Sequence, residues 1–476
     1  MRYFRRMTRL RLATDSPRDS VLKRWKEFLL IGLLGCARVI CAETTASLGQ
    51  DAKLDALSVA REFCVTNYGA VADGQTLCTA SIQKAIDAIA TNGGGTLCIP
   101  QGIFLTGSIF LKPGVNLHLD DGAVLKGSTE LKDYPERITR IEGLQQPLVA
   151  ALINAGNCPN LLIDGNGTID GSGKPFWVSF WQAITHNPKT ANVDVKRPRL
   201  IFLDHCSGAR IAGLKLKDSG FWNVHVYACD HLTIDGLDIS APHKGLRSGP
   251  EIIGKRWQEL GDVRAPSSDG IDVDSCQHVI IRNCSFGVDD DDIALKGSKG
   301  PFALQDTNSA PVDDVLVENC TFRYGHGCLT FGSEGTVVRN VTMRHCQVLG
   351  GQTLLRLKLR TDTPQTYEHI LLEDITANPS GQLIAASPWT QYADLQGQLQ
   401  PSSIIEDVTL RHIRGHAKGF ITLNNHPNSR IKDIQLEDIN IEADDPALKE
   451  GVGVSGVKLS NVMVNDQPPR VEAINK

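Results

Sequence analysis

The chain has 476 residues, 41% of them hydrophobic and 22% charged, with 44 glycines, a composition typical of a globular protein rich in turns. Its formal net charge of −5 becomes −12 without residues 1–42, which hold ten of the 49 basic and three of the 54 acidic residues. This acidic balance argues against nucleic acid as a partner. An anionic ligand would have to be bound by a local cluster of basic side chains.

The N-terminus carries a pattern typical of export. Three basic residues precede an apolar run at residues 28–35, which is too short to span a bilayer but suits a secretory signal. Cleavage after Ala42 is one interpretation. Residues 33–36 also resemble a lipoprotein signal, in which Cys36 would be acylated and would attach the protein to a membrane. We therefore predict a targeting segment at 1–42 and a periplasmic, extracellular or lipid-anchored protein.

The first element predicted after this segment is a short helix in the stretch TASIQKAIDAIATNGGGT. Apolar residues recur at helical spacing from Ile82 to Ile89, Thr79 or Ser81 is a candidate N-cap, and Gly93 is a stop signal. A helix here would cap one end of the repetitive fold that follows, because an open end exposes core and strand edges.

A recurring phrase follows, made of two short alternating strands joined by Asp, Asn or Gly. Clear copies are DHLTIDGLDIS, QHVIIRNCSFG, DDVLVENCTFR and EHILLEDITAN. Aligning all copies places one apolar anchor in each: Ile163, Ile211, Ile234, Ile281, Val317, Val338, Leu372, Leu410, Leu436 and Leu459. The shortest spacings between anchors are 21 to 26 residues.

Units this small must stack to bury an apolar face, and strand-only units near this length wind into a parallel β-helix. We predict that residues 43–476 form one all-β solenoid domain with a short N-terminal capping helix. A β-propeller would need about 40 residues and four strands per blade, which these repeats do not supply.

Thirteen cysteines in an exported chain suggest disulfides. Several, however, lie in apolar strand-like runs, where a small buried thiol is the ordinary explanation: Cys284, Cys320 and Cys346. Few bridges are therefore predicted. No CxxC pair occurs, so no zinc site is predicted, and nothing in the sequence indicates a cofactor.

The repeat register brings distant acidic residues to one face. Asp290 and His326 each lie nine residues after their anchors, and Asp269 and His326 each lie twelve before the next anchor. Because neighbouring coils stack at ~4.8 Å, we expect Asp269, the pair Asp290 and Asp291, and His326 to lie on adjacent coils. Such a cluster can keep one carboxyl protonated, and paired carboxylates carry out glycoside hydrolysis.

One coil further, the strand LLRLKLR alternates basic and apolar residues. Alternation sends Arg356, Lys358 and Arg360 to one side and three leucines to the other. These cations would hold an acidic sugar. Lys296 is a further candidate for substrate binding, although it could also be an ordinary loop charge, and Trp222 and Trp389 are candidates for stacking on a sugar ring.

Four segments, SSDGIDVDSC, VDDDDIALKGS, YGHGCLTFGSE and LLRLK, resemble in order and spacing the signature segments of glycoside hydrolase family 28, the polygalacturonases and rhamnogalacturonan hydrolases. Upstream stretches such as VTNYGAVADG and GNGTIDGSGKPFW are similar to bacterial members. The resemblance covers roughly residues 62–443. It implies a right-handed parallel β-helix and metal-independent, inverting hydrolysis of α-linked galacturonides in pectin.

The resemblance also implies roles for individual residues. Asp290 would be the general acid, Asp269 and Asp291 would activate water, and His326 would support the acid. Arg356 and Lys358 would bind substrate carboxylate. Two neighbours depart from the motif and are predicted to be incidental: Asp289, which replaces a glycine, and Asp292, which replaces a cysteine.

Further departures leave the substrate open between homogalacturonan and rhamnogalacturonan. The segment beginning at Ser267 replaces Asn-Thr-Asp, and the stretch after Lys358 is not glycine-rich. Asp272 and Asp274 are expected to face solvent. We expect a monomer whose partner is a pectic polysaccharide or oligogalacturonide.

Two other classes remain as alternatives. A calcium-dependent pectate lyase uses the same solenoid and would suit an aspartate run, but no arginine poised as a base is evident beside it. A non-catalytic carbohydrate-binding solenoid would need aromatic platforms and no acid–base trio.

The last prediction concerns residues 243–266, an insertion that precedes Asp269 and carries five basic residues. Loops this long in compact domains are usually lids or binding walls. A wall here would block a polymer from passing through the cleft and would favour exo-type removal of terminal units.

Overall fold

Stacked parallel strands make up this protein. The computed structural model describes residues 61–351 and 353–474, in which 33 strands join into one parallel assembly. Each coil contributes strands to three stacks, called here the first, second and third stack in the order in which the chain passes through them. The fold is a right-handed parallel β-helix, as predicted.

The strands of the first stack are β1 (Glu62–Cys64), β3 (Gly95–Ile99), β6 (Val115–Leu119), β11 (Leu162–Gly165), β14 (Arg210–Ala212), β17 (Asp230–Asp235), β20 (Gln277–Arg282), β23 (Val312–Glu318) and β26 (Val337–Arg344). Those of the second stack are β2 (Asp73–Leu77), β4 (Gly102–Thr106), β7 (Ala123–Gly127), β12 (Thr168–Asp170), β15 (Lys215–Lys217), β18 (Asp238–Ser240), β21 (Ser285–Gly287), β24 (Thr321–Tyr324) and β27 (Gln347–Val348).

Those of the third stack are β5 (Ile109–Leu111), β10 (Ile153–Gly156), β13 (Ile201–Asp204), β16 (Val224–Tyr227), β19 (Ile271–Asp274), β22 (Ile293–Lys296), β25 (Leu329–Phe331), β28 (Thr353–Arg360) and β30 (Gln382–Trp389). Long or late strands complete the coil: β29 (Gln365–Ala377), β31 (Ser403–Leu423), β32 (Arg430–Glu450), β33 (Val454–Ser455), β34 (Lys458–Val464) and β35 (Val471–Ala473). An antiparallel hairpin stands apart from the coil: β8 (Glu136–Ile141) and β9 (Leu144–Val149).

Short alternating strands build the core because every second side chain points into the coil. In β20, for example, Val279 and Ile281 are buried while Ile280 between them is only half-buried. The interior is filled by stacked apolar residues, including Phe286 and Phe322, whose rings lie 5.2 Å apart in neighbouring coils. Fully burying such a side chain contributes about 1.5–3 kcal/mol.

Nine of the ten predicted anchors stack in register, from Ile163 through Ile281 to Leu459. Val338 was the wrong choice for its coil, because Val317 pairs with Met343 and Val338 pairs with Val312. The strand β26 buries Val338, Val341 and Met343, because Asn340 in the left-handed region interrupts the two-residue alternation. The alignment took the first of these three residues as the anchor. His326 and Asp290 therefore each lie nine residues after a correct anchor. The match of His326 with Asp269, counted as twelve residues before the next anchor, depended on Val338 and does not hold.

Two α-helices interrupt the strands in the described part of the chain. Helix α1 (Thr79–Thr91) packs against β3 and β5 and buries Ile82 and Ile89, as predicted for the capping helix. Its N-cap is Cys78 rather than Thr79 or Ser81, and the chain leaves it through Gly93 in the left-handed region.

Three insertions between second-stack and third-stack strands stand on one side of the coil. They are the hairpin β8–β9, helix α2 (Lys174–His186) with the loop after it, and residues 243–266. A fourth segment, residues 390–402, follows β30 at the other end of the third-stack strands. These four segments surround the site described below.

The eleven cysteines within the described residues are free thiols, and nine of them are buried. Across those same residues, no helix is long and apolar enough to cross a membrane. The predicted targeting segment at 1–42, including Cys36, lies outside the described residues, so that part of the predicted organisation stays a prediction.

Candidate active site

The predicted acidic residues meet at the turns that lead from the second stack into the third. Asp269 precedes β19, Asp290 and Asp291 precede β22, and His326 precedes β25. Backbone hydrogen bonds join these turns directly: Gly270 donates to the carbonyl of Asp291 at 2.9 Å, and His326 donates to that of Asp290 at 2.8 Å. The three carboxylates each place an oxygen within 4.8 Å of the other two.

Asp290 and His326 form a pair. Nδ1 of His326 lies 3.2 Å from Oδ1 of Asp290. Burial alone would raise the pKa of Asp290, but the imidazolium beside it holds that pKa below its usual value. The pKa of His326 is raised, because the charge of Asp290 outweighs burial, which acts in the opposite direction. The pair therefore holds one proton between an imidazole and a carboxylate.

Asp291 is fully buried, and both of its carboxylate oxygens accept hydrogen bonds. Its oxygens accept hydrogen bonds from Thr330 Oγ1 at 2.9 Å, Arg356 Nη1 at 3.0 Å and Lys358 Nζ at 2.5 Å. Burial would raise its pKa, but Lys358 and Arg356 hold the pKa far below the ordinary value. Asp291 is thus a permanent negative charge that fixes two cations.

Asp269 behaves differently from its neighbours. Burial, together with the charge of Asp290, raises its pKa to about 7, although Lys296 Nζ at 3.5 Å opposes this shift. Near neutral pH, therefore, the labile proton of the carboxylate cluster lies on Asp269. This is the only one of the three carboxyls whose pKa is set near physiological pH.

Lys296 is not a loop charge. Its Nζ lies 3.4 Å from Asp272, 3.7 Å from Glu334 and 4.6 Å from the ring centre of Trp222.

The prediction that Asp272 and Asp274 face solvent was wrong, because both are fully buried. The hairpin β8–β9 covers this face of the third stack, and its buried Arg140 binds Asp274 at 3.1 Å.

A cavity of about 450 Å³ lies above these residues. Eight of the nine predicted site residues line it: Asp269, Asp290, His326, Arg356, Lys358, Arg360, Lys296 and Trp222. Asp291 lies beneath the floor and is not among the lining residues. Arg360 reaches the cavity but is bound to Asp362 at 2.7 Å, so its charge is already balanced.

Aromatic rings and insertions form the walls. Trp389 stands beside the cations of the floor, with Arg356 Cζ at 5.4 Å and Lys358 Nζ at 4.8 Å from its ring centre. Arg247 and Arg264 bring the 243–266 insertion to the cavity, as predicted for its return end. The other basic residues of that insertion do not line the cavity: Lys244, Lys255 and Arg256.

Asp289 is not incidental, contrary to the prediction from the motif. Its carboxylate binds the guanidinium of Arg264 through both oxygens, with Nε at 2.9 Å from Oδ2. Its backbone N–H also donates to Ser268 Oγ at 2.9 Å. This bidentate ion pair holds the insertion against the turn that carries Asp290 and Asp291.

Asp292, which stands where the family motif has a cysteine, is not incidental either, contrary to the prediction. It is fully buried, it points at Gly325, and neither oxygen has a hydrogen-bond partner among the described residues. Burial raises the pKa of Asp292 well above its ordinary value, and the charge of Asp291 raises it further. A cysteine-sized neutral group would meet no such penalty here.

Two residues that were not predicted as site residues also line the cavity, Glu142 on the hairpin β8–β9 and Glu334 after β25. Tyr392 and Asn192 lie near them in the wall. Of these four residues, only Glu334 lies inside a signature segment, YGHGCLTFGSE, and its position three residues after β25 is the signal that could have indicated it.

Comparison with known proteins identifies the family. The model of "Glycosyl hydrolases family 28" matches residues 94–463. A probable polygalacturonase of Vitis vinifera is 30% identical over 55% of this chain and 49% of its own length, and an exo-poly-alpha-D-galacturonosidase of Dickeya chrysanthemi is 28% identical over 61% and 50%. The chain thus spans about half the length of these two relatives. An exopolygalacturonase of Zea mays is 25% identical over 87% of this chain and 90% of its own length.

Solved structures agree on the fold. The exopolygalacturonase of Thermotoga maritima superposes with a TM-score of 0.69 at 24% identity, covering 85% of this chain and 92% of that one. The family 28 exopolygalacturonase of Yersinia enterocolitica gives 0.64 at 19% identity, covering 87% and 77%. The coil, the signature segments and the matched family model lead to one conclusion: the chain belongs to glycosyl hydrolase family 28.

Proposed function

We propose that this protein hydrolyses α-linked galacturonide bonds of pectin. One observation carries the proposal: three carboxylates on adjacent coils lie within 4.8 Å of one another beside Arg356 and Lys358, at the floor of a cavity of about 450 Å³. Carboxylates supply the acid and the base that glycoside hydrolysis needs, and cations supply partners for an acidic sugar.

The catalytic role proposed for each carboxyl group depends on whether that group carries a proton. The Asp290–His326 pair holds one proton, which rests on the imidazole. Passed from His326 to Asp290, this proton would be delivered to the glycosidic oxygen as the bond breaks. Asp269, once ionised, would accept a proton from the attacking water. Asp291 would add its negative charge beside that water and hold Arg356 and Lys358 in place for the substrate carboxylate.

We further propose inversion at the anomeric carbon. The carboxylate oxygens lie closer together than the roughly 6.5–9.5 Å usual for inverting enzymes, so separation alone does not argue for it. However, Asp290 is paired with His326 and Asp291 is bound by three donors, so neither is a free nucleophile. The remaining carboxylate, ionised Asp269, would act as base on the attacking water. The anomer formed first, followed by NMR, tests this directly.

Exo action is the favoured mode. The Arg264–Asp289 ion pair holds the 243–266 insertion against the catalytic turn. On the far side of the cavity, Tyr392 Oη donates to the carbonyl of Thr190 at 2.9 Å and joins the loop after β30 to the loop after α2. Walls on both sides would favour a chain end over a continuous polymer.

The experiment that tests the activity compares products. Polygalacturonic acid and a rhamnogalacturonan backbone are incubated with the protein, and reducing ends, viscosity and product sizes are followed. We expect monomer as the first product from polygalacturonic acid, with slow loss of viscosity. Early mixed oligomers would show an open cleft, and action on the rhamnogalacturonan backbone alone would favour the other substrate of the family.

Pectate lyase activity is the second candidate, because the cluster of Asp269, Asp290 and Asp291 could place three oxygens around a cation. The fit is poor, since Asp291 already accepts from Lys358 and Arg356 and a divalent ion would have to displace them. An unsaturated product absorbing in the ultraviolet would identify a lyase.

The acid–base trio argues against a purely carbohydrate-binding role.

A polymeric pectic substrate lies outside the cell that degrades it. We therefore retain the proposal that residues 1–42 direct export, with Cys36 as the site of a lipid anchor if it is acylated. Mass spectrometry of the mature N-terminus tests both interpretations.

A further inference from the structure

We propose that Glu142 and Glu334 form a hydroxyl-binding subsite at the end of the cavity beside Lys296 and Lys299, and that this subsite recognises the non-reducing terminal sugar of the substrate. The inference rests on the proposed hydrolysis of galacturonides, which it extends by naming the part of the substrate that is recognised. The ligand class is an unmodified terminal hexuronate with its ring hydroxyls free.

The two glutamates lie on one wall and come from distant parts of the chain. Glu142 sits at the turn of the hairpin β8–β9, and Glu334 follows β25. Both line the cavity, yet less than a tenth of either side chain is exposed. Burial, together with the charge of Glu334, raises the pKa of Glu142, which shows that the two carboxylates act on each other.

The cations at this end are already balanced by the protein. Lys299 Nζ lies 3.6 Å from Glu142, Lys296 lies between Asp269, Asp272 and Glu334, and Arg360 is bound to Asp362. A substrate carboxylate would therefore have to compete with protein carboxyl groups for cations that these groups already bind. Sugar hydroxyls are donors and would be bound by the same groups.

The position of this subsite relative to the reacting bond identifies the chain end. Lys296 bridges Asp269, at 3.5 Å, and Glu334, at 3.7 Å, so Glu334 lies beside the proposed base, whereas the proposed acid Asp290 is paired with His326. The base acts at the anomeric carbon, which belongs to the sugar on the non-reducing side of the bond. That sugar would extend from Asp269 towards Glu334.

The end of the cavity is held rigidly. Ser298 Oγ donates to the carbonyl of Gly143 at 3.4 Å, and a Cβ on Gly143 would lie only 3.0 Å from the carbonyl of Gly297. The hairpin turn is thus packed directly on the coil. Asp394 donates its backbone N–H to Asp362 at 3.0 Å, which fixes the loop carrying Tyr392. A preorganised wall can select a terminal hydroxyl.

The test compares two trimers of galacturonate that differ only at the non-reducing end. One is saturated, and the other carries a 4,5-unsaturated terminal unit, which lacks the C4 hydroxyl. Binding is measured by calorimetry in the Asp290→Asn background, so that neither trimer is consumed, and kcat/KM is measured in the active protein. We expect the saturated trimer to bind at least about tenfold more tightly, the loss expected for a hydrogen bond to a charged acceptor.

Glu142→Gln and Glu334→Gln, placed in the active protein and in the Asp290→Asn background, connect this preference to the two carboxylates. Each should weaken binding of the saturated trimer by about tenfold or more and reduce the preference to under about threefold. Glu136→Gln is the matched control, because Glu136 lies on the same hairpin, is exposed, and forms a surface ion pair with Lys196. It should leave both values unchanged.

Equal affinity for the two trimers in the Asp290→Asn protein would overturn the proposal whether or not the glutamate variants fold. A preference that persists in both glutamine variants would also overturn it, and would place recognition elsewhere. Failure of the hydrolysis proposal has a different signature, which is binding of the saturated trimer to the active protein without turnover.

Discussion

His326 contacts Asp290 twice, through a backbone hydrogen bond of 2.8 Å to its carbonyl and through Nδ1 at 3.2 Å from its carboxylate, although 36 positions separate them in the chain. The first contact is part of the ladder that joins neighbouring coils. The second is a result of it, because residues at the same point of successive coils are brought within about 5 Å of each other. Folding of the solenoid therefore assembles the proton-holding pair.

Replacement of Asp290 by Asn should lower kcat by about 10²–10⁴-fold while leaving substrate affinity nearly unchanged, because it removes the proton donor and little packing. Steady-state kinetics and calorimetric binding measure the two effects. Asp444→Asn, at an exposed position of β32, is the matched control. A loss under about threefold would rule out Asp290 as the acid.

The pH dependence of kcat/KM should show two limbs. Below about pH 7 Asp269 is protonated and cannot accept a proton from water, so activity should rise as pH approaches 7. At higher pH the Asp290–His326 pair loses its proton, and activity should fall at a pH above the ordinary value of a histidine pKa. Lys296→Met should move the acidic limb upward, because Lys296 lowers the pKa of Asp269. An unmoved limb would show that another group controls it.

Asp292→Asn should stabilise the protein at neutral pH. The folded-state pKa of Asp292 is raised above its unfolded value, so its contribution to stability is full below about pH 4 and is lost as pH rises towards the folded pKa. Asparagine cannot ionise, so the variant does not lose stability in this way as pH rises. We expect a gain of about 1–3 kcal/mol in denaturant unfolding at pH 8 and little gain at pH 4. An equal effect at both pH values would contradict the assignment.

Arg264→Gln should loosen the 243–266 insertion, because it removes the bidentate partner of Asp289. We expect lower kcat/KM on oligogalacturonides and a larger share of oligomers among the first products of a polymer. Arg256→Gln in the same insertion, which removes only an exposed ion pair with Glu259, is the control. Unchanged monomer release by the Arg264 variant would show that the insertion does not close the cleft.

Exhaustive chelation should leave activity intact, since the proposed reaction uses the carboxylates themselves. Reducing-end release is measured after dialysis against a chelator, with and without added calcium. Complete loss that calcium restores would instead favour the lyase.

Much of the site could be predicted from local patterns because a solenoid repeats its own geometry. The alternation of β28 placed Arg356 and Lys358 on one side, and the anchors at Ile281 and Val317 correctly aligned Asp290 with His326. The failure at Val338 has a local cause, because Asn340 in the left-handed region interrupts the alternation of β26 and turns both Val338 and Met343 inward. The apolar pattern alone does not choose between them.

The sequence by itself determined the coil, its register at nine of ten anchors and the acidic cluster, because each coil is built from contacts with the next one along the chain. Only the tertiary structure decided what covers that cluster. The hairpin that buries Asp274 and presents Glu142, the ion pair of Arg264 with Asp289, and the hydrogen bond of Tyr392 to Thr190 all join segments that no repeat relates. Their partners depend on how long loops pack over the coil, and burial by those loops then sets the pKa of Asp269.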